Sequence, residues 1–427
     1  MTSSAERQAA PSLVQPLGAS WRAQREAAQQ AILPHGRLLI SCPAPFGAGG
    51  LGRHVKELAD AAARAGSPPA ICMCAPALSP ARPSGSADVR EVRARRRFAS
   101  PLARLARFSP SWRNLRRSVA FDRHVAAELP RAEHLLAFNG QALAQLQAAP
   151  GAGYGSRALV AANPHLRVLL RQHALAHRAY PLEGTWASRL LQRNLAEYER
   201  AERIYVASRY TWESFVQEGV PEERLALFPL TPDPRFTPAA LGTAGGDDGE
   251  AAADDGVAAP DDGEAAADDG AAAPDDGAAA PAGTFDVVFV GRLCVTKGVP
   301  LLVDAVRRLG HADLRLVLVG GWSSRGMRRF LQRACATDAR IAIGPGDPLP
   351  RLRRAALFAH PAYEDGFAYA PAEALACGVP VLASEDTGMK ELIEPGVSGM
   401  VLPTGDLDAL TEAIDAAYRG ELLSGRV

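Results

Sequence analysis

The chain has 427 residues, 47% of them apolar, which is more than one ordinary domain needs and fits two α/β domains of roughly 150 to 200 residues each. No apolar run reaches the ~18 residues of a membrane span and the N-terminus lacks a signal peptide's apolar core, so a cytoplasmic protein is expected. Lysine and arginine total 47, as do aspartate and glutamate, but twelve of the acids fall between residues 239 and 284, where no basic residue occurs. The remainder therefore carries about +12, which suits anionic partners. The six cysteines (42, 72, 74, 294, 335 and 377) lack zinc spacing and any disulfide framework.

Residues 1–34, rich in Ala, Gln and Arg, read as a leader that is partly helical or disordered, with no assignable chemistry. Arg37–Cys42 reads as a buried strand, Pro43–Gly52 as a glycine loop and Arg53–Ala65 as a helix. Gly47, Gly49 and Gly52 formally match the dinucleotide pattern G-x-G-x-x-G. That pattern wants an acid at the end of the second strand. Here the strand Ala70–Cys74 runs into Ala75 and Pro76. Arg90 to Arg123 carries eleven arginines interleaved with Phe98, Leu102, Leu105, Phe108, Trp112 and Leu115. This stretch is either a shallow contact with the inner face of an anionic membrane or a solvated helix face. No recognisable nucleic-acid module accompanies it. His134–Phe138 and Ala158–Ala162 are further strands, and His165 lies just beyond the second, where open α/β sheets place ligands. A lone histidine is as readily structural. Arg189–Ala201 is a helix, Ile204–Ala207 a strand, and Ser208 starts a helix that ends near Gly219; Leu225–Phe236 then fits a crossover to a second domain.

Asp247–Pro260, DDGEAAADDGVAAP, recurs as Asp261–Pro274. With almost no large apolar side chain it cannot offset the entropy of folding, so residues 239–284 are expected to be a disordered linker. From Asp286 strands and helices alternate, implying a second parallel sheet. Arg292 and Lys297 fall between its first strand and helix. The chain has only three lysines (56, 297 and 390), so a lysine in that slot is a phosphate candidate. In EDGFAYAPAEALACGVP (Glu364–Pro380), Asp365 leaves the strand Leu357–His360, Gly366 allows close backbone approach, and Glu373 lies one turn into the next helix. The two acids would flank one pocket; a surface turn before a helix is the plainer alternative.

The Asp365-x7-Glu373 spacing, followed by Glu373–Val381, resembles the acid-x7-acid signature of retaining family 4 (group 1) glycosyltransferases. So does Gly291-Arg292-Leu293 with Lys297-Gly298. Gly49, Gly50, Gly52, Leu58 and Ala59 resemble that family's glycine element, and His165 with Arg167 its x-x-H-x-R element. The family has Glu where this chain has Asp365. The resemblance implies the GT-B architecture, an α/β fold of two Rossmann-like domains with parallel sheets facing across a cleft. The acceptor domain would span 35–238 and the donor domain 285–427, short at its C-terminus. It implies a nucleotide-diphosphate sugar as substrate, an unknown acceptor, retention, and no metal or cofactor. Arg292, Lys297, Gly49 and Gly50 would serve the diphosphate, and Glu373 the ribose. Asp365, with Gly366 and Phe367 beside it, would serve the donor sugar, and His165 the sugar or acceptor. A catalytically silent nucleotide-sugar or partner binder, and more remotely an NAD(P)-dependent oxidoreductase, are the alternatives.

Overall fold

The computed structural model describes residues 17, 19–77, 85–93, 109–238 and 283–423. The chain divides into two compact units. The first holds Arg22–Ala174 and Gly184–Leu230; the second holds Leu175–Glu183 together with the described residues up to Trp21 and from Thr231 onward. Residues 94–108 of the arginine-rich stretch and 239–282 of the acidic repeat lie outside the described residues.

The first unit is built on seven parallel strands: β1 Leu38–Cys42, β2 Ala70–Cys74, β3 Ala87–Glu91, β4 His134–Phe138, β5 Ser156–Ala161, β6 Arg203–Val206 and β7 Leu225–Leu227, in the order β3-β2-β1-β4-β5-β6-β7. Leu39 stands opposite Ile71 on one side and Leu135 on the other. Every residue of β1 and β2 is buried. That is why these strands read as unbroken apolar runs: helices cover both faces of a parallel sheet. The helices are α1 Ala19–Ile32, α2 Gly49–Arg64, α3 Pro110–Ala127, α4 Leu143–Ala148, α5 Leu166–Ala179, α6 Leu191–Arg200 and α7 Arg209–Gln217. The Ser208 side chain caps α7 by accepting from Thr211 N at 3.1 Å.

Two expectations need correction, and the partly helical leader is as expected. Helix α2 starts at Gly49, not Arg53, so three of the loop glycines are its first turn. Leu225–Leu227 is not merely crossover but the edge strand, paired with Ile204–Val206. The leader contains α1, whose Gln29 is fully buried and donates to both Glu57 Oε2 and Pro229 O at 2.8 Å.

The second unit has six parallel strands, β8 Phe285–Val290, β9 Leu314–Val319, β10 Ile341–Gly344, β11 Leu357–His360, β12 Val381–Ser384 and β13 Gly399–Leu402, in the order β10-β9-β8-β11-β12-β13. Its helices are α8 Val299–Arg308, α9 Arg325–Thr337, α10 Pro348–Leu352, α11 Tyr369–Ala376 and α12 Leu407–Tyr418. Side chains of Ser324, Asp347 and Asp406 cap α9, α10 and α12. Phe289, Leu302, Leu316, Leu357, Leu382 and Ile414 belong to one apolar core. Each sheet reverses its strand order once, between β1 and β4 and between β8 and β11. Open α/β sheets bind ligands outside the strand ends at such reversals.

Candidate active site

In the first unit, the chain leaves β1 through a turn closed by Ala48 N donating to Pro45 O at 3.3 Å. A Cβ on Gly52 would stand 2.0 Å from Pro45 O, so only glycine fits there. Gly49 has φ 59°, and around Gly50 nothing lies within 4 Å of an added Cβ. One turn on, His54 is buried and packs edge-on to Phe138 and flat against Phe228. Burial pushes its pKa down to about 3, so it is neutral. No acid follows β2.

His165 follows β5, two strands away from β1, and is 2% exposed. Its ring meets Tyr198 at 4.8 Å and Phe215 at 5.2 Å. Its backbone N donates to Ser214 Oγ at 2.9 Å, and its Nδ1 accepts from Arg167 N at 3.3 Å. Burial takes its pKa down to about 4. With Nδ1 used as an acceptor, the neutral ring carries its proton on Nε2. It is therefore a hydrogen-bond donor near neutral pH rather than a base.

The second unit concentrates charge. From β8 the chain runs through Gly291–Gly298, a loop pinned by Gly291 N to Val319 O at 2.9 Å and Leu293 N to Gly321 O at 2.8 Å. Leu293, Cys294 and Val295 are buried in it, while Arg292 is exposed. Val295 N donates to Glu183 Oε1 at 2.8 Å, and Ser323 Oγ donates to Glu183 Oε2. Gly298 has φ +71°, and a Cβ there would stand 1.9 Å from Pro361 O; Tyr363 N donates to Thr296 O at 2.8 Å. The loops after β8 and β11 thus touch backbone to backbone at the reversal of strand order.

That contact brings Lys297 Nζ to 2.7 Å from Asp365 Oδ2 and 3.1 Å from Glu364 O. Oδ2 of Asp365 also lies 3.2 Å from His360 Nε2. Burial opposes the charge on Lys297, but Asp365 and Glu364 outweigh it and hold the ammonium above its ordinary pKa. Burial likewise opposes the Asp365 carboxylate, and Lys297 and His360 overcome it, holding Asp365 far below the usual carboxylate range. The two are a true ion pair. Gly366 and Phe367 are buried behind Asp365. Ala368, at φ 64° and ψ 104°, is the one non-glycine residue of positive φ among the described residues and marks the start of α11. Glu373 lies on α11 and is 2% exposed.

The sequence model of the family described as "Glycosyl transferases group 1" matches residues 284–419. The chain is similar to D-inositol 3-phosphate glycosyltransferases of Xylanimonas cellulosilytica (31% identity over 138 residues, 30% of this chain and 33% of that protein) and Salinispora tropica (33% identity over 159 residues, 33% of each). It thus spans about a third of the length of these relatives. Among solved structures it resembles sucrose-phosphate synthase from Thermosynechococcus elongatus (TM-score 0.62, 18% identity, 91% of this chain and 92% of that chain). It also resembles Anabaena HepE in complex with UDP-glucose (TM-score 0.58, 17% identity, 91% and 92%). These likenesses give the fold, two helix-flanked parallel sheets of the GT-B type.

Within the second unit the structure unites Lys297 and Asp365, with Gly366 and Phe367 adjacent. Arg292 is exposed on the same loop as Lys297. Gly49, Gly50 and His165 belong to the first unit, where they sit at the ends of different strands. Sequence reasoning passed over His360, recorded only as the end of a strand. Its signal was a histidine closing an apolar strand five residues before an acid. It also passed over a buried network at the end of β4. There Glu197 accepts from the amides of Gly140, Ala142 and Leu143, Asp122 accepts from those of Ala144 and Gln145, and Arg193 pairs with both acids. Arg193 and Glu197, four apart on a helix, were the available hint. Among the described residues no helix is long and apolar enough to cross a membrane.

Proposed function

We propose that the chain is a glycosyltransferase that moves a sugar from a nucleoside-diphosphate sugar to an acceptor, with retention and without a metal. The observation that carries this reading is the Lys297–Asp365 pair, set where the strand order reverses in a group 1 glycosyltransferase domain. Breaking the sugar–phosphate bond puts negative charge on the leaving diphosphate and positive character on the sugar. Lys297 and the exposed Arg292 supply the cations for the first. Asp365, held anionic, suits the hydroxyls of a sugar whose ring is gaining positive character. Glu373 is assigned to the ribose, and the amides at Gly49 and Gly50 to the diphosphate. His165, as a neutral Nε2–H donor, is assigned to the sugar or acceptor on the first unit. The solved neighbour HepE, with UDP-glucose, lends support to the donor class.

The test is a thermal-shift panel of nucleoside diphosphates, nucleotide-sugars and nicotinamide dinucleotides on wild type and Lys297→Ala. Ligand bound to the native state raises the melting temperature by mass action. One nucleoside diphosphate should stabilise wild type and lose about tenfold or more in affinity on Lys297→Ala. That base is then used in a transfer assay. A response to nicotinamide dinucleotides alone overturns the reading, and binding without turnover on any acceptor reduces it to a nucleotide-sugar binder.

A further inference from the structure

His360 ends β11, whose other residues are Leu357, Phe358 and Ala359, all buried. Its own side chain is 4% exposed. The ring lies parallel to Phe289 of β8, 10° between planes and 6.0 Å between centroids. Nδ1 is buried and has no hydrogen-bond partner among the described residues. A leucine in this slot would pack on Phe289 without stranding a polar atom, a burden that typically costs ~1–3 kcal/mol. What the imidazole adds is the contact from Nε2 to Asp365 Oδ2. A neutral ring has one N–H, and only on Nε2 does it meet a carboxylate oxygen.

Oδ2 of Asp365 therefore has two donors, Lys297 and His360, while Oδ1 takes no hydrogen bond from the described residues. The Asp365 side chain is 17% exposed. Its two donors differ in kind. Lys297 is the cation assigned above to the diphosphate, so its hydrogen bond to Asp365 competes with the ligand. His360 faces no such competition, being walled in by Phe289 and the strand.

We propose that His360 is a positioning residue for the donor sugar: its Nε2–H fixes Oδ2 of Asp365, so that Oδ1 remains presented to a sugar hydroxyl when Lys297 engages the diphosphate. The inference rests on the glycosyltransferase reading and adds to it a division of labour. Lys297 answers to the phosphate half of the donor, and His360, through Asp365, to the sugar half. It also bears on an aspartate at this position, since His360, which the ligand does not draw away, holds the short side chain where it stands.

The experiment compares wild type, His360→Gln and His360→Leu for binding of UDP against UDP-glucose, ADP against ADP-glucose, and GDP against GDP-mannose. Glutamine places an amide N–H near the position of Nε2, whereas leucine fills the space with no donor. The expected result is that His360→Leu binds the bare diphosphate within about twofold of wild type. It should lose about tenfold in affinity for the matching sugar nucleotide, the scale of one hydrogen bond to a charged group. His360→Gln should recover most of that loss. Equal loss for diphosphate and sugar nucleotide, or no loss for either, overturns the proposal while leaving the glycosyltransferase reading intact. If wild type responds to none of the six ligands, that reading fails and this one with it. Nitrogen-15 NMR of the wild-type imidazole stands whether or not the leucine variant folds: the expected state is a protonated Nε2 and a bare Nδ1, and a protonated Nδ1 overturns the assignment.

Discussion

The two sheets reverse strand order in the same way, a first strand flanked by the second and the fourth, yet the two reversals are furnished differently. In the second unit, the loops after β8 and β11 meet through main chain and carry an ammonium, a carboxylate and an imidazole into contact. In the first, the loop after β1 turns back on itself at Gly52 and Pro45, and the nearby histidine, His54, is sealed between phenylalanines. The first unit places its buried charges one layer back, where Asp122, Arg193 and Glu197 tie down the chain leaving β4. Topology alone thus fixes where a ligand can sit. Which side chains span the gap decides what chemistry is possible there.

The sharpest way to break the comparison is to place a methyl group at each close approach. Gly298→Ala combines an overlap with Pro361 O and a left-handed backbone, and is expected to cost about 3–5 kcal/mol. Denaturant unfolding should show the loss, together with loss of nucleotide response in whatever fraction folds. Gly52→Ala meets a comparable overlap, between the first turn of α2 and the loop that leads into it. It should destabilise the first unit while leaving the Lys297–Asp365 contact in place, which nucleotide binding by the folded protein would report. Equal effects on binding from both variants would mean that the main-chain bridge is not what distinguishes the second reversal.

A second test separates the two kinds of buried charge by pH. Burial pushes the Glu197 carboxyl up from 4.5 to about 7, against the pull of Ala142 N, Arg193 and Gly140 N. Between those values the native state keeps a proton that the unfolded chain has lost. Stability is therefore full below about pH 4.5 and falls as pH rises toward 7, by about 3 kcal/mol in total. Denaturation midpoints of wild type at acid and neutral pH should show this decline, and Glu197→Gln should flatten it. Asp365 behaves oppositely: its pKa lies far below the ordinary value, so it adds no slope in the same window. The smallest expected effect is at Ala368, whose positive φ a glycine adopts without strain. Ala368→Gly should raise stability by about 1 kcal/mol, the relief of strain less the added freedom of the unfolded chain, seen as a small rise in melting temperature.

Much of this was legible in the sequence where the pattern was local. The limits of β2, β4 and β11 match the apolar runs residue for residue, because strands buried on both faces leave no other signature. β3 was not foreseen. Its sequence, ADVRE, has three charged residues of five and lies at a sheet edge, where burial does not constrain composition. Helix α2 was placed four residues late because glycine is a poor helix former and tertiary contact overrode its propensity. Lys297 and Asp365 were each recognisable from their neighbours. Their contact was not, because it depends on two loops 68 residues apart being laid side by side by the sheet. The same holds for Asp122 and Arg193, whose partnership no spacing rule reports.

The contact of Gly298 with Pro361 O has a bearing on how such a protein could be redesigned. Walls that already touch through their main chains cannot be moved apart by exchanging side chains, nor drawn closer by trimming them. On the glycosyltransferase reading proposed above, a programme to alter which sugar is accepted would therefore gain little from loop insertions at 291–298 or 361–368. It should vary the groups mounted on an unchanging frame, beginning with the carboxylate at 365 and the ring at 360.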